Sequence, residues 1–171
     1  MSATGFPALV AAATRVGERL KARHETVAVA ESSAGGLLSA ALLAVPGASA
    51  YYLGGTVVYT RRARKVVAAI PKEDVVGMRS ASEPYAQLLA RRSRERLAAT
   101  WGVSETGASG PTGNAYGDAP GHTCVAVAGP IERSATLETG RTDRVGNMFE
   151  FAARALELLE RALDDAPCST R

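Results

Sequence analysis

The stretch VAVAESSAGGLLSAALL, residues 27 to 43, sets Ser32 and Ser33 between two apolar runs, with Ala34 and the pair Gly35-Gly36 directly after them. A serine hydroxyl in such a place can act as a nucleophile when a neighbouring group takes its proton. It can equally cap a helix, because a serine oxygen accepts one of the first free N–H groups of the helix. On local pattern alone either serine could play either part. A second stretch, TGASGPTGN from Thr106 to Asn114, is glycine-rich and follows a short apolar segment. Backbone N–H groups in such a loop suit an oxyanion or a phosphate. A long turn built on positive-φ positions explains the same residues.

These candidates need elements to hold them. Pro7 to Arg23 carries Leu9, Val10, Ala13, Val16 and Leu20 at helical spacing, which predicts an opening amphipathic helix. TVAVA predicts a short strand, and SSAGGLLSAALLAVPG predicts a turn and helix ending at Pro46-Gly47. ASAYYLGGTVVYT is rich in strand formers, with a bend or bulge expected at Gly54-Gly55. RRARKVVAAI reads as a short helix stopped by Pro71, and a longer helix is predicted to start at Ser82 and stop at Gly102. A brief strand then leads to the glycine-rich loop. HTCVAVAG and ERSATLETG form an expected hairpin through GPIE, before a last helix from about Asp143 to Leu163. The order predicts an α/β fold, a three-layer α/β/α sandwich on a mixed, mostly parallel sheet. Ligands belong at the strand-to-helix loops of such a sheet.

A chain of 171 residues fits one domain, with an ordered core at about residues 6–165. With 46% hydrophobic and 22% charged residues it has the balance of a globular protein rather than a disordered one. Twenty basic residues against 17 acidic ones leave a formal charge of +3, too little to imply a nucleic-acid surface, although YTRRARKVV and ARRSRERLAAT concentrate it. Those clusters read first as solvated helix faces, with one or two phosphate contacts as the alternative. Cys124 and Cys168 lack CxxC spacing, and His24 and His122 are the only histidines, so neither a metal nor a cofactor is expected. Reduced cysteines and the lack of an apolar run near the roughly 20 residues that span a bilayer predict a cytoplasmic protein without membrane contact. His122 with Asp118 forms a candidate acid–base pair, though a turn aspartate and a strand-starting histidine account for both.

Taken in order, AESSAGG, GASAYYLGGTVVYTRRARK, SASE and TGASGPTGN resemble the CinA C-terminal domain family over nearly the whole chain. Its motifs look like AESCTGG, PGSSAWFxxGxVxYSNEAK, GAVSExxA and SGIAGPxGG. The characterised members are nicotinamide-mononucleotide amidohydrolases, so the resemblance implies hydrolysis of that nucleotide's carboxamide and a homodimer or larger homo-oligomer. By position it puts the nucleophile on Ser32 and the catalytic tyrosine on Tyr59. It puts substrate contacts on Ser33, Ala34, Gly35, Gly36, Thr106, Gly107, Gly110 and Arg144, with Pro111 and Gly113 matching the same backbone.

One departure bears on the chemistry. The family's catalytic lysine, five residues after the tyrosine, falls on Arg64, and Lys65 follows it. Arginine stays protonated and cannot accept the serine proton. Either Lys65 turns inward through a shifted register, or Arg64 only supplies charge beside Tyr59 while loop N–H groups hold the oxyanion. A nucleotide-binding relative without hydrolysis is the alternative function. Ser33 and Ala34 replace the family's Cys-Thr pair, and Met148 stands where a second arginine is usual.

Overall fold

The computed structural model describes residues 5–167. Cys168 therefore lies outside the described residues. Helix α1 (Phe6–Arg23) leads to strand β1 (Val27–Glu31), helix α2 (Leu37–Leu43) and strand β2 (Tyr52–Val57). Helices α3 (Arg61–Val66) and α4 (Glu83–Leu97) follow, then strands β3 (Trp101–Ala108), β4 (His122–Ala128) and β5 (Arg133–Glu138), and helix α5 (Arg144–Asp165).

The five strands form one mixed sheet in the order β2-β1-β3-β4-β5. β1 runs parallel to both β2 and β3, while β3–β4 and β4–β5 pair antiparallel, the second pair being the expected hairpin. A register shift between Val27 and Ala28, opposite Tyr52 and Gly54, puts an irregularity at the expected glycines. The apolar stripe of α1 (Leu9, Ala13, Val16, Leu20) packs with α2, α5 and one sheet face in the largest cluster. Ala86, Leu89 and Ala90 of α4 cover the other face. Burial on both faces explains why β1 and β4 contain no exposed residue.

The turn after β1 and the end of β3 lie side by side, because the chain leaves β1 toward β2 on one side and later returns to β3 on the other. Such a reversal of strand order opens a crevice at the carboxyl ends of the strands.

Two local readings change. Helix α4 ends at Leu97 with Ala98 left-handed at φ 49°, well before Gly102. Gly102 instead lies in β3, where an added Cβ would come 1.9 Å from the Ala90 carbonyl oxygen of α4. This glycine is a packing requirement, not a helix stop. Gly102→Ala is expected to destabilise the fold by about 3 kcal/mol, because the contact is with helix backbone that cannot rotate away. Urea unfolding would show it, and a loss below about 0.5 kcal/mol, the size of an ordinary surface change, would contradict the close-approach argument. The second change is that Thr106, Gly107 and Ala108 belong to the long strand β3 and not to the loop after it.

Candidate active site

The turn from Ser32 to Gly36 separates the two serines. Helix α2 is preceded by Gly36 with no side-chain cap, so neither serine caps it. The Ser33 hydroxyl donates to the Gly107 carbonyl at 2.6 Å and accepts the Gly107 amide at 3.0 Å. This reciprocal clamp joins the β1 turn to β3 and leaves Ser33 buried at 3% exposure. Ser32 instead lines a cleft of about 240 Å³ with Tyr59, Arg64, Tyr85, Thr106 and Gly107.

The turn is not an open nest for an anion. Glu105, fully buried on β3, accepts the amides of Ser32 at 3.0 Å and Ala34 at 2.8 Å. Glu31, also fully buried, accepts those of Gly36, Leu38 and Ser39, together with the Ser39 hydroxyl. Five amides that an oxyanion could have used are therefore turned inward onto carboxylates. Carboxylates suit this place because they accept several N–H groups at once. A glutamate within the small-residue strand WGVSETGA was the available signal, since a charge in a buried strand implies a partner.

Burial pushes the Glu105 carboxyl up to about 7, against the lowering effect of the Ala34 and Ser32 amides. Because this lies above the ordinary value of 4.5, the folded chain holds the proton more tightly than the unfolded chain. The group's contribution to stability is complete below the ordinary carboxyl value and is lost as the pH rises through the folded value, a fall of roughly 3 kcal/mol. Glu105→Gln is expected to remove this component, so the fall in urea midpoint from acid to pH about 8 should shrink in the variant. An identical fall in both proteins would rule it out.

Tyr59 is reached from the far end of the chain. Arg144, in the first turn of α5, donates to the Tyr59 hydroxyl at 3.1 Å and to the Gly110 carbonyl at 2.6 Å. Gly110 thus acts through Arg144, and its φ of 109° favours glycine. Arg64 and Lys65 separate on the short helix α3, where Thr60 caps the helix by accepting the Ala63 amide. Arg64 is half-buried and lines the cleft, whereas Lys65 is exposed and outside it. Successive helical residues point about 100° apart, so α3 in its regular register presents only one of them.

Of the remaining candidates, Ala34 packs in the main hydrophobic cluster, and Gly35 lies against Met148, whose Cε is 3.0 Å from where a Cβ would stand. Ala34, Gly35 and Gly36 shape the turn without lining the cleft. His122 and Asp118 also stand outside it. The two do approach each other, with His122 Nε2 3.7 Å from Asp118 Oδ2, but His122 also bonds Glu138 and, at 2.9 Å, the Ala81 carbonyl, while Asp118 pairs with Arg79 and Asn114. Cys124 is buried, which pushes its thiol pKa up and fits a core residue.

Residues not singled out in the sequence also line the cleft, namely Arg61, Ser80 and Tyr116. They border an adjoining hollow of about 590 Å³ that contains Lys72 and Arg79 as well. Bonding to Ser80, helped by Arg61, lowers the Tyr116 pKa against the effect of burial. This is a cationic surround suited to an anionic ligand. Two of the α4 arginines are spent elsewhere, Arg91 on Glu132 and Arg92 on Asp74 and Glu95. Among the described residues no group of three His, Cys, Asp or Glu side chains could hold a metal, and no helix is long and apolar enough to cross a membrane.

Comparison with known proteins gives a consistent result. The model of the CinA C-terminal domain matches residues 10–163. A CinA-like protein of Anaeromyxobacter sp. (strain K) is 41% identical over 145 residues, covering 85% of this chain and 36% of that protein. One of Salinibacter ruber is 39% identical over 148 residues, covering 86% and 36%. The chain thus spans about a third of the length of these curated relatives. Among solved structures, the competence/damage inducible protein CihA from Agrobacterium tumefaciens superposes with a TM-score of 0.84 at 26% identity, covering 96% of this chain and 100% of that one. A CinA superfamily protein from Escherichia coli gives 0.84 at 24% identity, covering 90% of each chain, a likeness of fold alone.

Proposed function

Since the chain belongs to the CinA C-terminal domain family, we propose that it is a serine amidase that converts nicotinamide mononucleotide and water to nicotinate mononucleotide and ammonia. The observation that carries this reading is the meeting of Ser32, Tyr59 and Thr106 in one cleft, although they come from three separate parts of the chain. Ser32 Oγ attacks the carboxamide carbon as its proton passes to Tyr59, which receives it as a phenolate. Tyr59 then returns that proton to the leaving nitrogen, which departs as ammonia. A water molecule, giving a proton to Tyr59, then releases nicotinate mononucleotide from the acyl-serine, and that proton returns to Ser32 Oγ.

Arg144, bonded to the Tyr59 oxygen, stabilises the phenolate before it takes the proton and after it gives the proton up. Arg64 adds a second cation to the cleft but takes no proton. With the inward-turned amides engaged, guanidinium groups and the Thr106 side of the cleft are the available partners for an oxyanion. Arg61 and Lys72 around the adjoining hollow suit the nucleotide phosphate, whereas Arg79 is engaged by Asp118. No metal or cofactor enters these steps. A homo-oligomer in the cytoplasm belongs to the same proposal.

A second reading, a nucleotide-binding protein that does not hydrolyse its ligand, is favoured by one observation: a guanidinium occupies the position of the family's lysine. Purified chain mixed with nicotinamide mononucleotide separates the two. Ammonia release over a protein-free control supports the amidase, whereas calorimetric binding with no release supports the second reading.

A further inference from the structure

Two fully enclosed carboxylates lie beneath the Ser32 turn, and the chemistry assigned to the cleft uses neither. Glu31 holds the entry to α2. Glu105 reaches the turn from β3, and one of its oxygens accepts the amides on both sides of Ser33. Its other oxygen receives the Thr123 hydroxyl of β4 at 3.1 Å. Ser32 is thus fixed through its own amide from below, while the neighbouring Ser33 hydroxyl is clamped to Gly107.

Taking Ser32 as the nucleophile of the amidase reading, we propose that Glu105 is the positioning residue of the Ser32 turn: its ionised carboxylate holds the turn from beneath, and its protonation loosens that hold. An ionised acceptor binds an N–H group about twice as strongly as a neutral one. Protonation also turns one of its oxygens into a donor. Loss of charge weakens the two contacts that fix the nucleophile's backbone, even with the proton on the oxygen that faces Thr123, and small displacements of a reacting group are costly in rate.

The groups facing Glu105 are Glu31 from β1, the Ser32 and Ala34 amides of the turn and Thr123 from β4. Among the described residues no cation pairs with it. Burial and the Glu31 charge outweigh the hydrogen bonds, so the change of state falls near neutrality, at about 7. The Ser32 turn should then tighten as the pH rises through that value.

The test has a structural arm and a kinetic arm on the same 171-residue chain and its variants. In the wild type, the Ser32 and Ala34 amide resonances should shift together with a midpoint near pH 7, and in Glu105→Gln that shift should vanish. With nicotinamide mononucleotide, wild-type kcat should rise across the same range while KM stays within about twofold. Glu105→Gln should lose that dependence, because an amide still accepts both N–H groups but does not titrate there. Glu105→Ala should lower kcat about 100-fold, with most of the loss recovered by the glutamine variant. Amides that do not titrate, or the same kcat profile in Glu105→Gln, would overturn the proposal. Titrating amides in a protein that never releases ammonia would instead defeat the amidase reading while supporting the Glu105 hold on the turn.

Discussion

Replacing Ser32 with alanine is expected to lower ammonia release from nicotinamide mononucleotide by about 10⁴-fold or more, because no other group in the cleft forms the acyl intermediate. The fold should survive, since Ser32 is tied into it through its amide, which alanine retains. Ser33→Ala gives the opposite pattern. It removes both bonds to Gly107 and should destabilise the protein by about 2 kcal/mol while costing much less in kcat. The pair of variants tests the division of labour between two adjacent serines. A Ser32→Ala protein that kept a tenth of wild-type turnover, or a Ser33→Ala protein as inactive as it, would reverse the assignment.

The second large effect is expected at Tyr59. Tyr59→Phe removes the oxygen that carries the proton and should reduce kcat by about 10³-fold, the span of general acid–base catalysis. Arg144→Ala should retain the tyrosine but lose the donor that holds its oxygen, a reduction of about 30-fold. Lys65→Ala should stay within about twofold of wild type, because a side chain outside the cleft has no transition-state contact to lose. Arg64→Ala should fall between these extremes, as it removes a cation from the cleft without removing the proton carrier. Steady-state kinetics on the four variants reads the series directly. Loss in Lys65→Ala equal to that in Ser32→Ala would show that α3 turns to present Lys65 as the base.

Much of the architecture follows from local pattern. The helical spacing of Leu9, Ala13, Val16 and Leu20 predicts the buried face of α1, and the run Val27 to Ala30 gives a strand covered on both sides. The hairpin through GPIE and the strand irregularity at Gly54 were equally legible, because turn residues and alternation act over a few positions. Gly102 misled for an instructive reason. Glycine ends helices, but it also marks close approach of a helix to a strand, and only packing tells the two apart.

The candidate site divides along the same line. Local pattern is enough to put Ser32 at the end of a strand, Tyr59 just before a short helix, and a glycine-rich segment after another strand. These are local facts, written in propensity and spacing. Folding in three dimensions is what makes Ser33 a clamp, brings Arg64 rather than Lys65 into the cleft, and carries Arg144 to Tyr59 across 85 positions of sequence. It likewise decided that Glu105 consumes amides the turn would otherwise offer to an anion. The physical reason is that side-chain partners of this kind depend on sheet order and strand register. Contacts that join β1 to β3, or the start of α5 to the end of β2, leave no periodicity in the chain that makes them.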